Sequence, residues 1–96
     1  MWSVESLREI LNGAGKEIFS VQETKLAEAV TTYTRKSGAS RIEIYVESGS
    51  IRVRTDGSAA TISTGEPMAA GVGGAFTVKT LSVYTVANAV YTVVHR

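Results

Sequence analysis

The chain has no cysteine, one proline and one histidine among its 96 residues. Without cysteine it can form no disulfide bond, and it has neither a thiol nucleophile nor a cysteine-ligated metal site. The single histidine, His95, is the penultimate residue, and the fraying that is common at chain ends argues against a catalytic role. A small domain without disulfide bonds or such metal sites must be stabilised by its hydrophobic core or by neighbouring molecules.

Neither sign of charge dominates, because ten Lys and Arg residues stand against nine Asp and Glu residues, for a formal net charge of +1. This charge creates no long-range field for a phosphate backbone or an anionic membrane surface. No segment approaches the roughly 20 apolar residues of a membrane span, and the N-terminal segment, which includes Glu5 and Glu9, lacks the pattern of a signal peptide. We therefore expect no nucleic-acid partner, no membrane partner and no secretion signal.

Valine, threonine, alanine and glycine are abundant, whereas leucine is scarce. This balance favours strands over helices. Turn signals divide residues 16–96 into about seven short strands, which is the pattern of an antiparallel β-sandwich or jelly-roll-like domain. The sequence thus predicts an all-β domain at 16–96.

Residues 1–15 have the pattern of a short amphipathic helix, with Ser3 as a suitable N-cap and apolar residues at helical spacing. A helix of this length is not stable alone in water, so it must dock on its own sheet or on a partner. Both alternatives remain open at this point. Trp2, Leu7 and Leu11 are its candidate partner contacts, since a terminal aromatic residue would otherwise be exposed.

The stretch from Arg41 to Gly57, RIEIYVESGSIRVRTDG, has the pattern of a β-hairpin that turns at Ser48 and Gly49. The predicted register pairs Val46 with Ile51, Ile44 with Val53 and Ile42 with Thr55 on an apolar face, and Tyr45 with Arg52, Glu43 with Arg54 and Arg41 with Asp56 on the other face. A second hairpin is predicted to turn at 87–89 within the last strand-forming segment.

The outer face of this hairpin supplies the candidate ligand contacts Tyr45, Arg52 and Arg54, a small basic and aromatic patch that could stack on a base or a sugar. The carboxylates of Glu43 and Glu47 lie on the same face, but ion pairing explains them better than a glycosidase pair does. No motif for a cofactor, a phosphate loop or a metal ion is present. We expect a protein that is not an enzyme and that has no catalytic, metal-binding or cofactor-binding residues.

The segment Ser50 to Gly65, SIRVRTDGSAATISTG, resembles the small β-sandwich virion proteins of tailed bacteriophages. In those proteins an I-R-hydrophobic-R strand leads into D-G-S/T, followed by a threonine and a glycine that closes the loop. The matching positions are Ile51, Arg52, Val53, Arg54, Asp56, Gly57, Ser58, Thr61 and Gly65. Many relatives have a proline just before the threonine, where this chain has Ala60. The resemblance extends from about Ile18 to the C-terminus.

This resemblance implies a capsid decoration or cement protein that binds the major capsid protein and stabilises the head. Such proteins commonly form homotrimers, and this one would be assembled onto the virion in the host cytoplasm. Two alternatives remain open: a tail, neck or fibre module of the virion, and a carbohydrate-binding module that uses Tyr45 and Arg52.

Overall fold

The computed structural model describes residues 17–96, and every regular element in this part of the chain is a β-strand. The strands are β1 (Phe19–Lys25), β2 (Val30–Thr34), β3 (Ile42–Arg54), β4 (Glu66–Ala69), β5 (Gly73–Phe76) and β6 (Thr80–His95). All their pairings are antiparallel and belong to one sheet. The all-β, antiparallel prediction is confirmed, with six strands instead of about seven. The predicted helical arm, residues 1–15, lies outside the described residues.

The long strands β3 and β6 contain 13 and 16 residues and run side by side. Their register begins with Ile42 opposite His95 and ends with Arg54 opposite Ser82. Both predicted hairpins are therefore wrong. The chain does not reverse at either predicted turn, because each stretch continues as one strand and takes the other as its partner.

An irregular segment in the middle of β3 carries the signals that predicted a turn. Val46 before this segment and Ile51 after it are both fully buried in the core, although one occupies an even and the other an odd position. An extra residue must be accommodated between them, by a turn or by bulges. The register with β6 shifts three times between Val46 and Ile51, and Gly49 has a φ of +77°. The parity change and the glycine therefore belong to bulges.

The extended form of β3 has a physical advantage over the hairpin. An isolated two-stranded hairpin is marginally stable in water. As one strand, β3 instead pairs along both of its edges, with β6 on one side and with β4 and β5 on the other. Local turn chemistry could not reveal this, since the competing partner lies far along the chain.

The four short strands fill the outer edges in a repeated order. β1 and β2 pair with the C-terminal and N-terminal halves of β6, and β4 and β5 pair with the C-terminal and N-terminal halves of β3. The segment from β1 to β3 therefore has the same strand order as the segment from β4 to β6. The short strands of the first segment pair with β6, and those of the second segment pair with β3. The sequence nevertheless contains no repeat of fixed period.

Each connection between two short strands runs alongside the middle of a long strand and forms main-chain hydrogen bonds with it. After β1, the Glu28 N–H donates to Thr85 O at 2.6 Å, and the Thr85 N–H donates to Ala29 O at 2.9 Å. On the opposite edge, the Val46 N–H donates to Val72 O at 2.9 Å. These bonds satisfy main-chain groups next to the irregular segments, where the regular ladder is interrupted.

One hydrophobic core collects side chains from both halves of both long strands. Its buried members are Ile42, Ile44, Val46, Ile51, Val53, Met68, Leu81, Val83, Ala89, Tyr91 and Val93. Partly buried Val21, Tyr33, Phe76 and Val78 pack against them. The face of β3 that was predicted to be apolar is therefore buried as expected, although its partner strand is different.

Several local predictions are confirmed. β2 occupies the residues expected for a strand, and residues 55–65 contain no strand. Pro67 lies in the outer strand β4, as expected for a residue without an N–H group. The predicted separate strand at 24–26 is wrong, because Thr24 and Lys25 belong to the end of β1.

Replacing Gly49 with Ala should destabilise the fold more than replacing Gly38 with Ala. Both glycines have positive φ, +77° and +87°, so both substitutions carry the left-handed strain of about 1–2 kcal/mol. A Cβ at Gly49 would also lie 2.2 Å from Asn88 O, whereas nothing lies within 4 Å at Gly38. Urea unfolding should show an additional loss of about 2 kcal/mol for Gly49→Ala. Equal losses would contradict close packing at the bulge.

Candidate functional site

The structure separates the candidate contact residues into three groups. Trp2, Leu7 and Leu11 lie outside the described residues. Tyr45 lies in the first half of β3, whereas Arg52 and Arg54 lie in the second half, beyond the irregular segment.

The predicted basic and aromatic patch is wrong, because Tyr45 is 0% exposed. Its ring packs against β5, where a Cβ on Gly73 would lie 2.6 Å from Tyr45 Cδ1. Its hydroxyl donates to Glu43 Oε1 at 2.7 Å. Arg52 and Arg54 are partly buried and have other partners. A ligand therefore cannot stack on the Tyr45 ring in this conformation.

The three predicted cross-strand pairs on this face are also wrong, since the hairpin does not form. Glu43 instead lies at the centre of a buried charged cluster. Its Oε2 accepts from Arg41 Nε at 2.8 Å, and its Oε1 accepts from Arg96 Nε at 2.8 Å and from the Tyr45 hydroxyl. Glu43 is 0% exposed and Arg96 is 5% exposed. The cluster joins the beginning of β3 to the residue that follows β6.

The ionised state of Glu43 is favoured despite its burial. Burial alone would raise the pKa of this carboxyl, but the hydrogen bonds from Tyr45, Arg96 and Arg41 outweigh it and hold the pKa below its usual value of 4.5. A buried carboxylate with such partners is costly to disrupt, since the remaining charges would lose their compensation. The arrangement therefore explains Glu43 as a structural ion pair and not as a general acid or base.

The loop formed by residues 55–65 is held at both ends by the arginines of β3. Arg52 Nη1 donates to Gly65 O at 2.9 Å. Arg54 forms a two-bond ion pair with Asp56, whose Oδ1 also accepts from the Ser58 N–H at 3.0 Å. The Arg54 hydrogen bond, together with that from Ser58, lowers the pKa of the exposed Asp56 carboxyl. We refer to residues 55–65 as the 55–65 loop.

The middle of the 55–65 loop is also fixed. Ala60 is fully buried, and its N–H donates to Ser82 Oγ on β6 at 2.9 Å. The Thr61 N–H donates to Thr64 O at 3.1 Å, and the Thr64 N–H donates to Thr61 Oγ1 at 3.1 Å. Between these threonines, Ile62 is 57% exposed. The loop thus presents an apolar side chain on a hydrogen-bonded backbone.

Arg54 lines two clefts, of about 480 and 150 Å³. Their polar walls include Asp56, Thr64 and Glu66 in the larger cleft and Thr32, Ser58, Thr80 and Ser82 in the smaller one. No aromatic side chain of the described residues lines either cleft, and the Arg54 guanidinium is already bound to Asp56. The clefts therefore lack the stacking platform of a typical sugar site.

His95, Tyr33 and Tyr91 are further polar residues whose side chains bond within the fold. His95 is 2% exposed, and its Nδ1 accepts from the Lys36 N–H at 3.2 Å. Burial, together with the charge of Lys36, lowers the pKa of this imidazole. The Tyr33 hydroxyl contacts the Tyr91 hydroxyl at 2.8 Å. Burial is the main cause that raises the pKa of Tyr33, and the hydrogen bond with Tyr91 raises it further.

Sequence reasoning does not identify Arg96, Ser82 or Ile62 as important residues. The role of Arg96 depends on contact with Glu43, 53 positions away, and that of Ser82 depends on the position of the 55–65 loop. Ile62 had a usable signal, since it is the one large apolar side chain in the small-residue stretch DGSAATISTG.

Comparison with known proteins yields no family. No protein-family model matches the chain, and no curated protein is significantly similar to it. Within residues 17–96, no cluster of three or more His, Asp or Glu side chains could bind a metal ion, and no helix is suited to cross a membrane.

Replacing Glu43 with Gln should destabilise the protein at neutral pH by about 3 kcal/mol, because the buried guanidinium of Arg96 would lose the negative charge of Glu43. The depressed pKa of Glu43 means that its stabilisation is present above pH 4.5, its unfolded value, and is lost as the pH falls through the folded value. Denaturant unfolding from neutral to acidic pH should therefore show a smaller acid-induced loss for Glu43→Gln than for the wild type. Glu66→Gln, on the outer strand β4, is the control and should follow the wild-type profile.

Proposed function

We propose that this protein is a structural protein of a bacteriophage virion, and specifically a capsid decoration or cement protein that binds the major capsid protein lattice. One observation carries the proposal: the residues that resemble those of phage virion proteins are the residues that hold the 55–65 loop. Arg52 bonds the closing Gly65, and Arg54 bonds Asp56 at the opening of the loop. The residues of the pattern therefore hold an exposed, hydrogen-bonded loop, and this supports its use as the surface that contacts the capsid.

The glycines of the pattern have matching roles. Gly57 has a φ of +88°, as the residue after Asp56 in a tight turn. Gly65 has a φ of +111°, and a Cβ there would lie 2.8 Å from Val53 O. A side chain at Gly65 would push the closing residue away from β3. Gly57 thus permits the turn at the opening of the loop, and Gly65 permits the close approach of the closing residue to β3.

The one departure from the phage pattern is compensated. Relatives with a proline before the threonine would have a stiffer backbone at that point, whereas this chain has Ala60. The Ala60 N–H donates to Ser82 Oγ at 2.9 Å, a bond that proline could not make. The anchoring bond to β6 therefore replaces the rigidity that proline would supply.

A preformed loop is suited to binding a repeated protein lattice. Little conformational entropy is lost when an already ordered loop docks, so more of the contact energy contributes to affinity. Because Ile62 is 57% exposed, burial of the remaining exposed part of its side chain would contribute about 1–2 kcal/mol. The remaining area of a stable interface, about 800 Å² per partner, must come from other surfaces. The predicted contacts Trp2, Leu7 and Leu11 are candidates for part of that area.

The binding of this protein to the virion would take place in the host cytoplasm, during assembly of the head. A trimer at a local three-fold position remains what the phage resemblance implies. A tail, neck or fibre protein could use the same loop to join another virion component. Binding to purified heads and tails of the phage therefore distinguishes these locations.

Replacing Ile62 with Asp should weaken binding to undecorated capsids by at least about tenfold, the equivalent of 1.4 kcal/mol, without changing folding stability. Cosedimentation with capsids that lack this protein measures the binding. Val72→Asp is the matched control, because Val72 is also exposed, at 43%, but lies between β4 and β5. Failure of the wild type to bind capsids would contradict the decoration role, whereas equal binding by Ile62→Asp would exclude the loop as the contact.

A further inference from the structure

The two outer edges of the sheet differ in their ability to pair with another strand. On one edge, β4 and β5 have four residues each, and β4 contains Pro67, which has no N–H to donate. On the other edge, β1 has seven residues with neither proline nor glycine. Among the described residues, β1 pairs only with β6. Within residues 17–96, the β1 edge therefore has neither the proline nor the short strands that limit strand addition at the other edge, and its only charged residues are Glu23 and Lys25.

Exposed apolar side chains concentrate along the same edge. Six large hydrophobic residues of the described part are exposed, and four of them belong to β1, β2 or the residues directly flanking β1. They are Ile18, Phe19, Leu26 and Val30, with exposed fractions of 47%, 42%, 75% and 51%. A regular edge strand with exposed apolar residues at both ends is a typical site of association between chains.

The hydrogen bonds at the end of β6 show which main-chain groups of β1 point outward. The Ile18 N–H donates to His95 O at 2.7 Å, whereas Arg96 exchanges bonds of 3.0 and 3.1 Å with Arg41 on the β3 side. In an antiparallel strand, consecutive residues direct their main-chain groups to opposite edges. The odd-numbered residues at this end of β6 therefore face β1, and the even-numbered residues face β3.

The register between β1 and β6 shows which residues of β1 bond to β6 and which face the open edge. Val21 is opposite Val93 and Glu23 is opposite Tyr91, so the odd-numbered residues of β1 bond to β6. The N–H and C=O groups of Ser20, Gln22 and Thr24 consequently face the open edge. Their side chains are exposed as well.

We infer that β1 pairs antiparallel with β1 of a second copy of this chain, about a two-fold axis at Gln22. The main-chain groups that face the open edge belong to Ser20, Gln22 and Thr24, which are spaced symmetrically about Gln22. In the dimer, Gln22 is therefore opposite Gln22 of the second copy, and Ser20 is opposite Thr24. The same register places Ile18 opposite Leu26 of the second copy, and this contact occurs twice. The exposed apolar residues at the two ends of the strand thus complement each other.

A second copy fits this edge electrostatically as well. β1 contains one acidic and one basic residue, Glu23 and Lys25, which already form an ion pair at 3.4 Å within each copy. Pairing two strands therefore brings no net charge together. The result is an isologous interface that extends the sheet across the dimer. This inference goes beyond the proposed function, and its two-fold symmetry differs from the trimer that the phage resemblance implies.

Mass measurement by sedimentation equilibrium of the full chain tests the association. The wild type should reach twice the chain mass as its concentration is raised to about 1 mM, a range in which weak complexes form. Thr24→Pro should remain monomeric and folded, because it removes an N–H that faces the open edge and not β6. Thr24→Val retains the N–H and should still dimerise. A wild type that stays monomeric, or that forms a trimer, would overturn the inference.

Cysteine cross-linking tests the register. Because the natural chain has no cysteine, an introduced cysteine can form a disulfide bond only with its copy in the second chain. Opposed residues in a hydrogen-bonded pair have Cα atoms about 5.5 Å apart, which suits a disulfide. Gln22→Cys should therefore form a covalent dimer under mild oxidation. Ser20→Cys is the control, since its two copies would be separated by about 13 Å along the strands. Equal cross-linking of both variants, or none of Gln22→Cys, would contradict pairing about Gln22, even if Thr24→Pro fails to fold.

Discussion

The antiparallel pairing of β3 with β6 is the interaction on which the rest of the structure depends. Each of the four short strands bonds to one of these two strands, and the buried core is formed largely from their side chains. The Glu43 cluster fixes the pair at one end, where it binds Arg96. At the other end, Ser82 of β6 binds the 55–65 loop, which follows β3. The loop that we propose as the recognition surface is therefore positioned by the same two strands that form the core.

The pairing of β3 with β6 continues on both sides of the irregular segment, because the bulges there keep the apolar residues of β3 on one face. Gly49 permits this through its positive φ and its close approach to Asn88 and Ala89. A side-chain period of two would otherwise direct either Val46 or Ile51 to the outer face. The connections after β1 and after β4 then bond the middle of β6 and of β3. The bulges in β3 therefore allow the long-range pairing of β3 with β6 to continue along both strands.

Much of the local structure could be predicted from the sequence, but the strand partners could not. The alternation of apolar residues correctly identified the buried face of β3, and the small-residue stretch correctly indicated a loop at 55–65. A glycine at a change of parity is compatible with a turn and with a bulge. The choice between them depends on β6, which is distant in sequence. For the same reason, Tyr45 and Glu43 could be assigned to the outer face, whereas their burial could not be foreseen.

The central claim is that β3 and β6 are continuous partners and not two separate hairpins. Cross-strand nuclear Overhauser effects between main-chain protons test it directly, because each arrangement brings different residues together. The structure predicts contacts between Ile44 and Val93 and between Val53 and Val83, on the two sides of the irregular segment. Contacts between Ile44 and Val53, with none to β6, would show that the chain reverses at Gly49 and would contradict the account.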